Sequence, residues 1–240
     1  MKPMVIAIDG PAGAGKSTVA RKLAERLGLL YVDSGATYRA AALRVVKAGV
    51  SPDDEAAVAE LVAGADIQFA VGDSGPQILL DGEDVTVAIR SPEVSLAAAK
   101  VSRYPAVRQK MVDLQRRFAR GRGVVMEGRD IGTVVFPPAD LKVFLTAAPE
   151  ERARRRLSDD QQRGQAVSLP QTIAAIERRD QLDTERKISP LIPAPDAIEV
   201  DSTQLTADQV VERILRIIRE RKLIKEQGEK SAVETGELAD

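Results

Sequence analysis

An α/β architecture is what this 240-residue sequence predicts: a five-stranded parallel sheet covered by helices on both faces, with a small antiparallel β insert. Three observations predict it. Five short apolar runs, rich in β-branched residues, alternate with segments of helical periodicity. A stretch near residues 65–90 carries hairpin signals with no helix between them. A glycine-rich loop joins the first strand to the first helix.

Residues 4–9 read as a buried strand that ends at Gly10. Val19, Ala20, Leu23, Ala24 and Leu27 then recur at helical spacing, and Gly28 caps that helix. Residues 29–32 form the second strand, ending at Asp33, and 37–47 are helical, with Gly49 after them. Ser51-Pro52-Asp53-Asp54 starts a further helix, to about residue 63. The character then changes. Residues 66–71 and 77–81 flank the turn Gly72-Asp73-Ser74-Gly75-Pro76, and 81–84 lead into Val85-Thr86-Val87. Helical periodicity resumes over 93–120 and breaks at Gly121-Arg122-Gly123. Strands three to five are predicted at 124–126, 141–145 and 197–200. Helices are predicted near 149–163, 170–183 and 207–225. Residues 226–240 are polar, charged and aperiodic, and read as a disordered tail.

Composition removes whole classes of chemistry. The chain has no Cys and no His, which excludes disulfides, thiol nucleophiles, structural zinc sites, Ser-His triads and imidazole bases. Aromatic residues are 3% with no Trp, which argues against a base-stacking platform. Thirty-five basic residues against 36 acidic give a net charge of −1, so neither nucleic acid nor a membrane is expected as partner. No run of 18 apolar residues exists, and the apolar stretch at the N-terminus is too short for a signal peptide. A cytoplasmic protein is expected.

Gly10-Pro11-Ala12-Gly13-Ala14-Gly15-Lys16-Ser17 fits the pattern G-x-x-x-x-G-K-[ST] between a strand and a helix. Glycines there let successive backbone N–H groups turn inward as an anion nest. The following helix adds its positive end. Lys16 can reach the β- and γ-phosphates of a nucleotide, and the Ser17 hydroxyl is placed for Mg²⁺. No Asn-Lys-x-Asp motif for guanine is present, which favours ATP.

An acceptor should lie beyond the carboxyl ends of the strands. After the second strand, Asp33 can hold Mg²⁺ through water, and Ser34 and Arg39 can hold an anion. After the third, Arg129 offers a donor fork for phosphate. Asp130 suits an exocyclic amine or another arginine. Arg152, Arg154, Arg155 and Arg156 form one basic cluster, and Arg178, Arg179 and Arg186 with Asp183 another. Phosphoryl transfer between two polyanions needs several such charges.

Taken together, these segments resemble bacterial cytidylate kinases, P-loop nucleoside monophosphate kinases. The resemblance rests on residues 9–18, on Asp33-Ser34-Gly35-Ala36-Thr37-Tyr38-Arg39, and on the run 127–137 around Gly128-Arg129-Asp130-Ile131-Gly132-Thr133. Arg179-Asp180 with Asp183 and Arg186 before Ser189-Pro190-Leu191, and Asp201-Ser202-Thr203, complete it over about residues 4–220. The family implies a P-loop nucleoside monophosphate kinase fold with a mobile lid. It implies ATP and CMP or dCMP going to ADP and CDP or dCDP, with Mg²⁺. Its ATP site would map to Gly10, Pro11, Ala12, Gly13, Ala14, Gly15, Lys16, Ser17 and Thr18, with Arg152, Arg155 and Arg156 of the lid. Its CMP site would map to Ser34, Arg39, Arg108, Arg129, Asp130, Arg179, Asp183 and Arg186. Arg39, Arg129 and Arg186 would act on or near the α-phosphate, Asp130 and Arg179 on cytosine, and Asp183 on the sugar. Lys16, Arg129 and Arg186 would be catalytic, and Ser17 and Asp33 would serve the metal. In some members a serine stands where this chain has Ala99, and Ser102, a helical turn along, is a candidate replacement.

The resemblance divides the chain into a kinase domain over 1–225 and a tail over 226–240. The core would comprise about 1–64, 91–150 and 165–225, with an acceptor-binding insert at 65–90 and a lid at 150–164. A monomer is expected. The rival readings are a P-loop kinase for UMP, AMP or shikimate, and a regulator that binds ATP without catalysis.

Overall fold

The computed structural model describes residues 3–72, 75–162, 168–186 and 188–223. The proposed tail over 226–240 and the end of the proposed lid, 163–164, lie outside them, as do turn residues 73 and 74.

Five strands make the main sheet: β1 (Val5–Asp9), β2 (Leu30–Asp33), β6 (Val124–Gly128), β7 (Leu141–Thr146) and β8 (Ile198–Asp201). They run parallel in the order β2-β6-β1-β7-β8, as the alternating pattern predicts. A second sheet, β3 (Ile67–Gly72), β4 (Gly75–Leu80) and β5 (Glu83–Asp84), is antiparallel and falls within the hairpin-rich stretch. The α-helices of the described residues are α1 (Lys16–Leu27), α2 (Ser34–Lys47), α3 (Glu55–Ala63), α4 (Pro92–Val101), α5 (Pro105–Phe118), α6 (Pro149–Gln162), α7 (Leu169–Thr184) and α8 (Ala207–Glu220).

Strand alternation sends side chains to two cores. Ile6, Ile8, Val125, Val143 and Leu145 pack with Val19 and Leu23 of α1 and Ile214 and Ile218 of α8. Ala7, Val32, Val124 and Met126 face the other way, onto Val112 of α5 and Ile131. A third core joins α2 to α5 with the small sheet, and the interior of α2 is three consecutive fully buried alanines, Ala40, Ala41 and Ala42. Their small size lets neighbouring elements close on every side of that helix.

Three expectations from periodicity change. The helix predicted over 93–120 is two helices, α4 and α5, split at Ser102-Arg103-Tyr104. Pro105 is the cause: it lacks an N–H and pushes Tyr104 into extended backbone, φ −80° and ψ 128°. Val85-Thr86-Val87 is not a strand: β5 ends at Asp84, whose carboxylate accepts from Thr86, and a 3-10 turn Ala88–Arg90 follows. The last helix ends at Glu220 rather than near 225, because Lys222 takes φ 54°.

The strand order positions the site. The chain leaves β1 outward to β2, returns to β6 and then crosses β1 to reach β7. At that switch the loops after β1 and β6 diverge and open a crevice at the strands' carboxyl ends. Ile8 is level with Glu127 and Asp9 with Gly128.

Candidate active site

The crevice is a cavity of about 680 Å³. One wall is the loop after β1. Gly15, at φ 89°, is the N-cap of α1, and the left-handed turn there aims the first amides of the helix into the cavity. Gly13, at φ 76°, lies where a Cβ would meet the Arg152 carbonyl at 2.7 Å, so the loop's crest is pressed against α6. Lys16 is 5% exposed and its Nζ donates to the Pro11 carbonyl at 2.8 Å. Burial, helped by the positive charge of Arg129, pulls its pKa down to about 7.

Ser17 donates its hydroxyl to Glu127, and Tyr31 donates to the same carboxylate oxygen at 3.2 Å. Burial, with Asp33 adding repulsion, pushes the Glu127 carboxyl up from its ordinary value. Asp33 caps α2 by accepting from Ala36 N at 3.1 Å and pairs with Arg39 at 2.6 Å. Burial opposes its ionisation, but Arg39 and the Ala36 N–H outweigh burial and hold its pKa below the usual carboxylate value. Beneath these, Asp9 accepts from Ile131 N at 2.8 Å and Gly132 N at 2.7 Å, and so ties β1 to the turn that follows Asp130.

Another part of the lining is basic. Arg129 donates to Asp183 at 2.8 Å, Arg186 pairs with the other Asp183 oxygen, and Arg179 lies 4.0 Å away. Burial works against the Asp183 charge, yet Arg129 and Arg186 hold its pKa below the usual carboxylate value. Asp130 pairs with Arg108, whose guanidinium also lies 5.6 Å from the Tyr38 ring. Such a cluster of fixed cations can hold two polyanions and offset charge that spreads during phosphoryl transfer.

The residues expected to bind nucleotides mostly meet here. From the loop, Ala12, Gly13, Gly15, Lys16, Ser17 and Thr18 line the cavity. From the acceptor side come Asp33, Ser34, Arg39, Arg108, Arg129, Asp130, Arg179, Asp183 and Arg186, and from α6 come Arg155 and Arg156. Gly10, Pro11 and Ala14 shape the loop without lining the space. Arg152 departs from expectation. It is buried behind the loop, donating to the Ala147 carbonyl at 3.0 Å and the Ala12 carbonyl at 3.1 Å. Side chains on a helix lean toward its N-terminus, which carries Arg152 back under the loop while Arg155 and Arg156, a turn later, reach the cavity.

Other side chains meet here as well. Glu127 and Arg21 line the cavity, as does Arg90 from the turn after β5. Ser202 accepts Arg155 at 3.0 Å and donates to the Ala14 carbonyl at 3.2 Å. Glu127 had a readable signal: a carboxylate ending a wholly apolar strand has to face something polar. Ala99 lines the cavity together with Ser95 and Ser102, and Ser102 donates to the Ala99 carbonyl at 3.2 Å.

The family model described as cytidylate kinase matches residues 6–220. The chain is similar to a cytidylate kinase of Geobacter sulfurreducens, 48% identical over 91% of this chain and 94% of that protein. It is similar to one from Pelotomaculum thermopropionicum, 52% identical over 88% and 93%. Among solved structures, an uncharacterized protein from Eubacterium ventriosum covers 90% of this chain and 98% of its own, with TM-score 0.52 and 12% identity, a likeness of fold alone. By the family match and by identity across most of its length, the chain belongs to the cytidylate kinase family.

Proposed function

We propose that the cavity carries out direct in-line transfer of the γ-phosphoryl group of ATP to the α-phosphate of CMP or dCMP. The protein is an enzyme of that activity, forming CDP and dCDP. One observation carries the division of labour: the phosphate loop and the Arg129–Asp183–Arg186 cluster line a single cavity.

In this reading the loop amides and Lys16 hold the donor phosphates, and the positive end of α1 adds to their field. Arg39, Arg129 and Arg186 hold the acceptor phosphate. Arg155 and Arg156 reach the donor from α6. The attacking oxygen is already an anion at neutral pH, so no strong base is required. Positioning and charge do the work. Asp130, Arg179 and either Ser95 or Ser102 read the base, and Asp183 reads the sugar. Closing of α6 over the donor would exclude water.

Mg²⁺ suits the donors present. Ser17, Glu127 and Asp33 offer only hard oxygens, and no group of three or more His, Cys, Asp or Glu that could hold a metal ion occurs among the described residues. That is a site for an ion brought by phosphates and water, not for one caged by protein. Mg²⁺ held there by Ser17, with Asp33 through water, would neutralise charge on the β- and γ-oxygens. A cytoplasmic monomer is the proposed form. No described helix is long and apolar enough to cross a membrane.

A nucleotide panel tests the reading. ADP release is measured with CMP, dCMP, UMP and AMP as acceptors, alongside a Lys16→Ala variant. CMP and dCMP should dominate, and Lys16→Ala should lose orders of magnitude in kcat while remaining folded. Clear preference for UMP or AMP would overturn the base-reading assignment, and near-normal turnover by Lys16→Ala would overturn the donor site.

A further inference from the structure

Arg152 and Asp180 meet at Ala12 of the phosphate loop, and neither lines the cavity. The Arg152 side chain is 8% exposed and that of Asp180 20%. They form an ion pair. Arg152 also donates to Ala147, just past β7, and to the Ala12 carbonyl. Asp180 accepts from the Ala12 N–H at 3.4 Å. Both backbone polar groups of Ala12 are therefore held by this pair, at the crest of the phosphate loop. Gly13, the next residue, packs on the Arg152 backbone.

Asp180 belongs to α7, a helix of 16 residues. Its sequence neighbour Arg179 lines the acceptor side of the cavity, and so does Asp183, one turn on. A helix moves as a rigid rod, so an acceptor that draws Arg179 and Asp183 inward must move Asp180 with them. The 3.4 Å contact to Ala12 leaves about 0.5 Å of travel before an optimal N–H···O distance is reached. A buried guanidinium that bonds three segments cannot yield one partner without disturbing the others.

We propose that Asp180 and Arg152 form a clasp that transmits occupancy of the acceptor side to the phosphate loop, making Asp180 a positioning residue for transfer. The clasp rests on the assignment of donor and acceptor sides given above. By linkage, CMP then tightens ATP binding by the same factor that ATP tightens CMP binding.

The test is titration calorimetry of CMP, with and without a non-hydrolysable ATP analogue, on the wild-type chain, Asp180→Ala and Asp180→Asn. Wild type should show about tenfold mutual tightening. Asp180→Ala should show less than about twofold, with affinity for CMP alone within about threefold of wild type. Its kcat should fall, and its KM for CMP at saturating ATP should rise about fivefold, because turnover is read on the ATP complex. Asp180→Asn keeps an acceptor for Ala12 but loses the charge facing Arg152, so its coupling should be intermediate. It also serves as the readout if the alanine variant does not fold. Unchanged coupling in these variants, or a wild type without coupling, overturns the clasp. A wild type that turns over another nucleotide in preference to CMP overturns the functional reading instead, and leaves the coupling measurement to be made with that nucleotide.

Discussion

The Arg108–Asp130 pair offers the sharpest separation of folding from function. Its side chains are 6% and 7% exposed. Arg108 further donates to Ser189 Oγ at 3.2 Å and to the Ser102 carbonyl at 3.3 Å. Replacing Asp130 by Leu strands the guanidinium without its counter-charge. Breaking a buried pair from one side costs about 3–5 kcal/mol. This pair borders a cavity of about 680 Å³ that water can enter, so the low end applies, about 3 kcal/mol. In a chain of this size that lowers Tm by about 6–12 °C. Removing both charges, with Arg108→Met and Asp130→Leu together, should return stability to within about 1 kcal/mol of wild type, because the desolvation cost goes with the attraction. Turnover of CMP should stay low in the single and double variants alike. Thermal and urea melts of the four proteins, with CMP kinetics on each, make the measurement. A single-variant cost under about 1 kcal/mol, or strictly additive losses in the double variant, would refute this account of the pair.

Two further outcomes follow from the same site. Lys16, pulled to about 7 by burial, binds fewer protons folded than unfolded between about 7 and its ordinary 10.5, so its destabilising effect is complete below 7 and fades as pH rises through that window. The gap in urea midpoint between Lys16→Met and wild type should therefore narrow from pH 6 to pH 9, and a constant gap would contradict it. Ala99→Ser adds a hydroxyl to a wall already formed by Ser95 and Ser102 and should lower KM for CMP by about three- to tenfold, with the change absent for ATP. A KM unchanged for both substrates would show that Ser102 already fills that role.

Much of this molecule is legible in one dimension. The loop Gly10 to Ser17 is recognisable because its chemistry is local: three glycines, a lysine and a hydroxyl between a strand and a helix. The five strands are legible because parallel strands buried on both faces read as continuous apolar runs. Pro105 was equally visible, but the apolar spacing continues across it, and periodicity alone runs two helices into one. Arg152 shows a deeper limit. Four arginines in five positions all look suited to phosphate, and nothing local tells which of them turns back beneath the loop.

What the sequence determined by itself is the donor chemistry and the sheet, since each depends on neighbours within a few residues. Tertiary structure decided the partnerships. Ser17 and Glu127 are 110 residues apart and meet because β6 enters the sheet beside β1. Ala12 and Asp180 are 168 apart and meet because α6 and α7 fold back over the loop. Long-range pairing of charges depends on how strands order and helices pack, and that order is settled by the burial of all three cores at once, not by any one segment.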